Sequence, residues 1–512
     1  MKTVCTFATK FTSLISWVLS CFDRVIFRGH LPISRPYEFE KFVDYQLKIR
    51  RADFAKCVGR KWSGRVVKHA ECFAEKHGRI YQYHAGKIDK DAWAKEQLDK
   101  SPIKEGLVGV LCVMEACRTF KIASGKDRPC FVLGWVPQRV LYYYFIDREL
   151  GFIHVRLQTW APFTVQVYAN GHDYVARQLQ KKGISFEQVD NAFVQLGDPA
   201  AVQRCADRFA KLPWPKILER YARRINPLLH DELKGMSHYW VVDQAEYATD
   251  IRFSSKHALA GLFLRLLEFA LLTFSPKKIF CYLGRKWHEQ FNGEVQSHYK
   301  SVREPGACIK HFMKGNWLKM YDKLALLLRV ETVINQPGEF KVLRECLHRD
   351  GSKSMGWFAM CKGVGNLHHY QSHALACNQR YLEALAAVED PTPVYDDLKQ
   401  LTERKRDQGR SYAGFNPARE DEVRLFAAIL AGDHIAQGFR NKDVRTVIYA
   451  EHPRAPEHRR HSAAVGRLLK RLHVRQLIMK VPRTRRWRVT ERGRRILSDT
   501  LRTYRRCQAQ AA

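Results

Sequence analysis

The stretch from Glu420 to Cys507 constrains the fold more than any other part of the chain, because its apolar spacing changes period at clear start and stop signals. Gly432 ends a first helical pattern, and Asn441 is placed to cap a second helix at its N-terminus. The predicted elements are helices at 420–431, after Asn441 and at 462–473, strands at 477–481 and 487–490, and a final helix from Glu491.

Three helices followed by a β-hairpin is the element order of a winged helix-turn-helix domain. The segment 477–497 (LIMKVPRTRRWRVTERGRRIL) resembles the wing and following helix of MarR-like and related winged-helix proteins. The resemblance implies that residues 419–512 bind DNA, with the third helix in the major groove and the wing on the backbone or minor groove.

Charge agrees with this interpretation. Residues 421–512 contain 22 Lys and Arg against 8 Asp and Glu, a net charge of +14. We predict nucleic-acid contacts from basic residues around the third helix and in the wing: Arg459, Arg460, Arg467, Lys470, Arg471, Arg475, Arg483, Arg485, Arg486 and Arg488. The alternative is a solvated basic face on a winged helix that binds another protein.

The rest of the chain is also basic. The total charge is +35 over 512 residues, which leaves +21 outside the last 92 residues (35 − 14). This spread predicts a long polyanion, duplex DNA or structured RNA, lying across several domains. A membrane partner is not expected, since no basic amphipathic helix is followed by an anchor.

The 14 cysteines include no CxxC pair, which favours reduced thiols in a cytoplasmic protein. The apolar run 11–22 predicts an N-terminal helix rather than a signal peptide, because no small-residue cleavage site follows it.

A chain of this length predicts several domains. The expected fold class is α+β and multidomain, with antiparallel-sheet domains of palm or ferredoxin-like type followed by the C-terminal winged helix. The predicted segments are a basic α/β region at 1–128, an antiparallel meander plus helices at 129–235, a palm-like α+β domain at 236–390, a linker at 391–418 and the winged helix at 419–512.

Within the meander, strands are predicted near 131–135, 140–146, 152–159 and 163–168. Aromatic residues are dense there and alternate with arginines, which fits either a sheet core or a row that stacks on unpaired bases. The palm-like segment is predicted from a strand at 247–253, a buried helix at 257–274 and a strand at 278–283, followed by strands at 295–300, 308–313, 317–322 and 326–334.

Two strands of the palm-like segment carry a second resemblance. Lys319-Met320-Tyr321-Asp322-Lys323 and Leu328-Arg329-Val330-Glu331 resemble strands of rolling-circle replication initiators of phages and plasmids. The resemblance implies a tyrosine nucleophile beside a metal ion. The usual pair of histidines is missing, because His311 stands alone, so a metal here would need carboxylates.

Acidic residues near these strands supply such ligands. Asp243, Glu246 and Asp250 lie within eight residues, and with Glu331 they predict a Mg²⁺ or Mn²⁺ site; the catalytic candidates are Asp243, Asp250, Glu331 and Tyr321. The alternative is that these acids pair with arginines. Tyr370 and Tyr381 are further candidate nucleophiles, and His368, His369 and His373 are further candidate ligands.

These features predict a nucleic-acid-binding protein of a mobile element, either a transposase or a nuclease similar to replication initiators, and a homodimer is one assembly to consider. Two other classes stay open. One is a non-enzymatic protein partner of a structured RNA, and the other is a transcription regulator.

Overall fold

The structure is a computed structural model that describes residues 6–125, 128–286, 291, 293–300, 307–388, 401–417, 419–449 and 455–511. It is a mixed α+β chain with a large mixed sheet. The chain divides into two compact units. Unit 1 comprises residues 1–18, 249–332 and 375–512, and unit 2 comprises residues 19–248 and 333–374. Each unit therefore collects segments from several of the predicted consecutive domains.

The helices are α1 (Thr6–Lys10), α2 (Pro36–Lys41), α3 (Arg60–Lys76), α4 (Lys90–Lys100), α5 (Gly171–Lys182), α6 (Pro199–Ala206), α7 (Trp214–Ile225), α8 (Lys256–Thr273), α9 (Pro276–Tyr282), α10 (Leu367–Leu385), α11 (Glu420–Ile429), α12 (Gly432–Gln437), α13 (Asn441–Tyr449), α14 (Ala455–Val474) and α15 (Glu491–Ala511).

The strands are β1 (Ile15–His30), β2 (Tyr81–His84), β3 (Gly106–Ala123), β4 (Cys130–Asp147), β5 (Gly151–Gln158), β6 (Val165–Ala169), β7 (Phe186–Val189), β8 (Ala192–Leu196), β9 (Tyr239–Phe253), β10 (Val295–Lys300), β11 (Cys308–Met313), β12 (Asn316–Lys323), β13 (Leu327–Ile334), β14 (Lys341–Leu347), β15 (Lys353–Ala359), β16 (Lys405–Asp407), β17 (Arg410–Tyr412), β18 (Ile478–Lys480) and β19 (Trp487–Val489).

Unit 2 is built on strands in the order β9-β1-β6-β5-β4-β3-β2. Four neighbouring pairs are antiparallel: β1 with β6, β6 with β5, β5 with β4, and β4 with β3. β2 runs parallel to β3, so the sheet is mixed. The predicted meander is present, but the two strands expected at 131–135 and 140–146 are one long strand, β4. It pairs along nearly its whole length with β3, which the sequence did not predict.

Unit 1 contains strands in the order β10-β11-β12-β13, followed by the last residues of β9 (249–253), and the four strands predicted from residue 295 to 334 are confirmed. β11 and β12 are joined by a tight turn in which Lys314 and Gly315 have positive φ angles of 44° and 77°. Two successive positive φ angles give the backbone twist that a two-residue hairpin needs. The turn thus lies one residue earlier than Gly315-Asn316.

The strand predicted at 278–283 is wrong, because these residues lie in helix α9. Ser275 caps this helix by accepting a hydrogen bond from the backbone N–H of Lys278, and Pro276 occupies its first position. Serine followed by proline is a helix-start signal. The predicted β-α-β unit is therefore absent, and with it the basis for a palm or ferredoxin-like fold.

The N-terminal helix predicted over residues 11–22 is also wrong. Residues 15–22 begin β1, and the α-helix described before them covers Thr6–Lys10. A short apolar run fits a buried strand as well as a helix, and here the sheet provides the partner strands.

The C-terminal segment of unit 1 contains the predicted helices, hairpin and final helix in the predicted order, with one helix that was not predicted, α12, inserted after the first. Phe439 exchanges backbone hydrogen bonds with Trp487, at 2.8 and 2.7 Å, and so adds a third strand position to the β18–β19 hairpin. The core of this segment also includes Leu401 and Phe415, both within the predicted linker. Residues 401–417 therefore pack as part of the fold.

Among the described residues, no single helix is long and apolar enough to cross a membrane. One bent pair, Lys256–Leu271 with Pro276–Tyr282, meets the length and composition criteria only when the two are taken together. The cysteines in the described part of the chain form no disulfide.

Candidate functional site

Helix α14 presents a cationic surface opposite its packed side. Val465, Leu469 and Leu472 are buried in the C-terminal core, whereas Arg459, Arg460 and Arg467 are exposed. These three arginines have no carboxylate partner in the part of the chain that the structure describes. Lys470 shares their side of the helix, but it lies 3.6 Å from Asp407.

Small residues separate the cations on this surface. Arg459, Ala463, Gly466 and Lys470 are spaced i, i+4, i+7 and i+11, which places them along one side of the helix. A Cβ atom at Gly466 would come no closer than 3.7 Å to Asn441, an ordinary contact. Packing therefore does not require glycine in the middle of this helix.

The turn between β18 and β19 carries two further exposed arginines, Arg483 and Arg485. Two other arginines that were predicted to bind nucleic acid from the same wing instead contact groups of the protein itself. Arg486 donates to the backbone carbonyls of Gln437 and Gly438, at 3.1 and 3.0 Å. Arg488 lies 3.3 Å from a carboxylate oxygen of Glu383.

Arg475, one of the predicted nucleic-acid contacts, is not exposed. It follows α14, is buried, and donates to the carbonyls of Glu403 (2.7 Å) and Ala413 (2.9 Å). Burial lowers the pKa of its guanidinium from the ordinary value. Arg471 is similarly occupied, since it pairs with Glu422 at 3.1 Å and stacks on the ring of Phe415. The contacts of these two side chains hold residues 401–417 against α14.

Sequence reasoning missed a basic hairpin in the predicted linker. β16 and β17 pair around Gln408 and Gly409, which have positive φ angles of 49° and 76°. Arg406 and Arg410 are exposed on it without an ion-pair partner among the described residues. The signal was present, because a glycine between two short polar strands is typical of a two-residue turn.

A buried ion pair lies between β9 and β13 in unit 1. Arg329 donates to both carboxylate oxygens of Asp250, at 2.6 and 2.7 Å, and both side chains are almost fully buried. Beside this layer, Asn378 accepts from Thr332 (2.7 Å) and donates to Thr249 (3.1 Å). Asp250 therefore has a bidentate cation where the predicted site would place a metal.

Glu331 belongs to a second polar cluster on the same strand. Its carboxylate accepts from Lys319 at 2.7 Å and from the hydroxyl of Tyr321 at 2.9 Å. Lys319 and Tyr321 are two residues apart on β12 and therefore point to the same face. The structure thus brings together Tyr321 and Glu331, two of the predicted catalytic residues.

Asp243 lies in unit 2, where Arg28 donates to it at 2.6 Å and Gln166 at 3.3 Å. Each of the three predicted Mg²⁺ or Mn²⁺ ligands therefore has a cationic partner. Also in unit 2, an oxygen of the buried Glu246 lies within 4.8 Å of one of Asp23. Asp23 in turn accepts from Asn191 at 2.5 Å.

Two further candidate nucleophiles and the lone histidine of the palm-like segment lie in the core. Tyr370 and Tyr381 are fully buried, which excludes them as nucleophiles toward a polymer substrate in this fold. His311 is also buried, with its ring nitrogens 3.0 Å from the hydroxyl of Tyr381 and 2.8 Å from that of Ser297. Burial lowers the pKa of His311 to about 3, so this histidine is neutral at ordinary pH.

In comparisons with protein-family models, curated proteins and solved structures, nothing matched this chain.

Proposed function

We propose that this chain binds nucleic acid through a basic face formed by Arg459, Arg460 and Arg467 on α14 and by Arg483 and Arg485 on the following hairpin. One observation carries the proposal. All five guanidinium groups are exposed, and none has a carboxylate partner among the described residues. Other arginines of the same segment make contacts inside the fold: Arg475 donates to a backbone carbonyl, and Arg488 pairs with a carboxylate.

Exposed arginines without carboxylate partners favour a polyanion as the ligand. Their positive charges repel one another until counterions or phosphates neutralise them. A nucleic acid releases its condensed counterions when these arginines replace them, and this release drives binding.

Duplex DNA is the proposed form of this ligand. The order of helices and hairpin supports a winged helix-turn-helix arrangement, in which α14 enters the major groove and the hairpin follows the backbone. Ala463 and Gly466 support a close approach, because small side chains between the arginines leave room for base edges.

The test replaces Arg459, Arg467, Arg483 and Arg485 with alanine in the full-length chain. Each lost phosphate contact should reduce the slope of log K against log salt by about 0.9, so the slope should fall by about 3 to 4. Binding to a short DNA duplex is followed by fluorescence anisotropy over a range of salt concentrations.

The matched control replaces Arg50, Arg60, Arg148 and Arg349, which are also exposed and unpaired in the described part of the chain. It removes the same charge from other surfaces. If both variants lose the same slope, binding follows net charge and not the basic face. If structured RNA is bound more tightly than duplex DNA, and by the same arginines, the ribonucleoprotein alternative replaces the duplex proposal.

A second candidate function is strand cleavage or transfer, as in a mobile-element transposase or replication initiator. The observation that favours it is the hydrogen bond from Tyr321 to Glu331, with Lys319 beside them. In this mechanism Glu331 takes the phenol proton, and the phenolate oxygen forms a bond to phosphorus. The bond from phosphorus to the displaced sugar oxygen breaks, and that oxygen takes a proton from water and leaves as a hydroxyl.

This candidate predicts a covalent adduct between the protein and a DNA strand in the presence of Mg²⁺ or Mn²⁺. The adduct should be seen on a denaturing gel, should disappear in Tyr321→Phe and should persist in Tyr299→Phe, a change at an exposed tyrosine. An adduct that survives Tyr321→Phe, or none with the wild-type chain, argues against this function.

A further inference from the structure

The β3–β4 pair of unit 2 has an exposed face lined by aromatic and cationic side chains. In its register Arg118 lies opposite Trp135, Ala116 opposite Pro137, and Met114 opposite Arg139. Directly opposed residues point to the same side of a sheet, and all six are exposed. Trp135 stands out because 67% of its surface is open to solvent.

A second aromatic side chain extends this face on the neighbouring strand. Tyr83 of β2 pairs with Cys112 of β3, and 47% of the Tyr83 residue is exposed. The guanidinium of Arg139 lies over this ring, 5.5 Å from its centroid. Six residues of β3 separate the positions of Arg118 and Cys112, so the two aromatic groups lie about 20 Å apart along the strands.

The charge of this face is positive. Neither Arg118 nor Arg139 has a carboxylate partner among the described residues. Glu115 belongs to the opposite side of β3, where it pairs with Lys90 at 3.0 Å and Arg156 at 3.1 Å. Ala116 and Pro137, which have small side chains, lie between the two aromatic groups next to Met114 and Arg139.

From this arrangement we infer that the face formed by Tyr83, Arg118, Trp135 and Arg139 binds a single-stranded nucleic acid, with unpaired bases stacked on the two rings. A flat sheet with exposed aromatic rings supplies stacking partners for bases of any identity, and neighbouring arginines contact the phosphates. Among the meander aromatics that fitted either a sheet core or a stacking row, Trp135 is exposed, whereas Tyr142, Tyr143, Tyr144 and Phe145 are buried. This inference stands on contacts of unit 2 and does not depend on the basic face.

The test measures binding of the full-length chain to a single-stranded thymidine oligonucleotide, a uridine oligonucleotide of the same length, and an abasic strand with the same number of phosphates. The variant combines Tyr83→Ala and Trp135→Ala. Because stacking contributes strongly to each bound base, the two base-containing strands should bind at least about tenfold more weakly to it. The abasic strand should bind the wild type weakly, and its affinity should not change.

The control is Trp357→Ala. Trp357 is also 67% exposed, but it lies on the β14–β15 hairpin opposite Leu343 instead of an arginine. This control should bind all three strands like the wild type. Trp135→Phe keeps a ring, so it should retain most of the affinity and separates stacking from damage to the fold.

Equal affinity for the abasic and base-containing strands would overturn the inference, and so would equal losses in the double variant and in Trp357→Ala. Repeating the measurements with Arg459, Arg467, Arg483 and Arg485 replaced by alanine separates the two sites. A base-dependent loss that persists in this background belongs to the β3–β4 face, whether or not the basic face binds duplex DNA. If the base-dependent loss vanishes there, the β3–β4 face is not an independent site and the inference fails.

Discussion

Two groups of arginines in unit 1 differ in what surrounds them. Arg467 and Arg485 are exposed and have no carboxylate partner in the described part of the chain. Arg329 is fully buried and is held by both oxygens of Asp250. An exposed guanidinium keeps its water until a polyanion replaces that water, whereas a buried one must be matched inside the fold.

The same contrast occurs within the C-terminal segment. Arg475 follows α14 directly, yet it is buried and bonded to carbonyls of residues 403–413. The number of arginines in a segment therefore overstates its binding surface. Substitutions at the two kinds of position should separate stability from affinity.

The largest effect is expected from Arg329→Met. This change leaves Asp250 buried without its cation, and the free energy of unfolding should fall by about 3–5 kcal/mol. Arg467→Met, the same substitution at an exposed position, should change it by no more than about 0.5 kcal/mol. Chemical denaturation of the full-length chain followed by circular dichroism measures both.

A double variant sharpens this test. Asp250→Leu combined with Arg329→Met replaces the ion pair with apolar side chains, which should recover much of the lost stability. If Arg329→Met and Arg467→Met destabilise equally, buried and exposed arginines do not differ in the way proposed.

Arg475→Met should have the next largest effect, because the carbonyls that accept from Arg475 lose a buried donor. We expect a loss of about 1–3 kcal/mol, seen as a lower thermal midpoint. Arg485→Met should leave the midpoint unchanged and weaken duplex binding. A stable Arg475→Met variant with weakened binding would instead place Arg475 at the interface.

The buried residue His311 extends the comparison of buried and exposed groups to the pH dependence of stability. His311 has its pKa lowered to about 3 by burial, while an unfolded chain binds a proton at about 6.5. Below that pH the unfolded state takes up a proton that the folded state excludes, so stability falls as pH falls. The expected slope is about 1.4 kcal/mol per pH unit between about 6.5 and 3.

Unfolding measured at several pH values should show that slope reduced in His311→Gln. His458→Gln, a change at an exposed histidine on α14, is the matched control and should leave the slope as it is in the wild type. An unchanged slope in His311→Gln would mean that His311 is not the group that is protonated on unfolding.

The smallest effect is expected from Gly466→Ala, and its two readouts should move in opposite directions. Alanine fits at this position and is favoured over glycine within a helix by about 0.5–1 kcal/mol, so the thermal midpoint should rise. The added methyl group lies among the cations of α14, so duplex affinity should fall. Unchanged affinity would place the bound duplex away from this side of the helix.

The sequence alone determined the local elements wherever spacing and stop signals agreed. The helices after Asn441 and before Gly432, the hairpin around residues 481–486 and the strands from β10 to β13 were predicted from such signals. These elements depend on side chains that are close in sequence, so the periodic spacing of apolar residues is enough to predict them. The high density of arginine near α14 was equally visible.

Only the tertiary structure decided which strands pair with each other and which charged side chains form ion pairs. β3 was not predicted, because it is stabilised by its long pairing with β4. Residues 15–22 likewise form a strand because they lie in the sheet beside partner strands. Asp250 and Arg329 are 79 positions apart, so their pairing leaves no periodic signal. The sequence therefore established that acids and arginines are present, while the fold established which arginines are matched inside it and which remain available to a ligand.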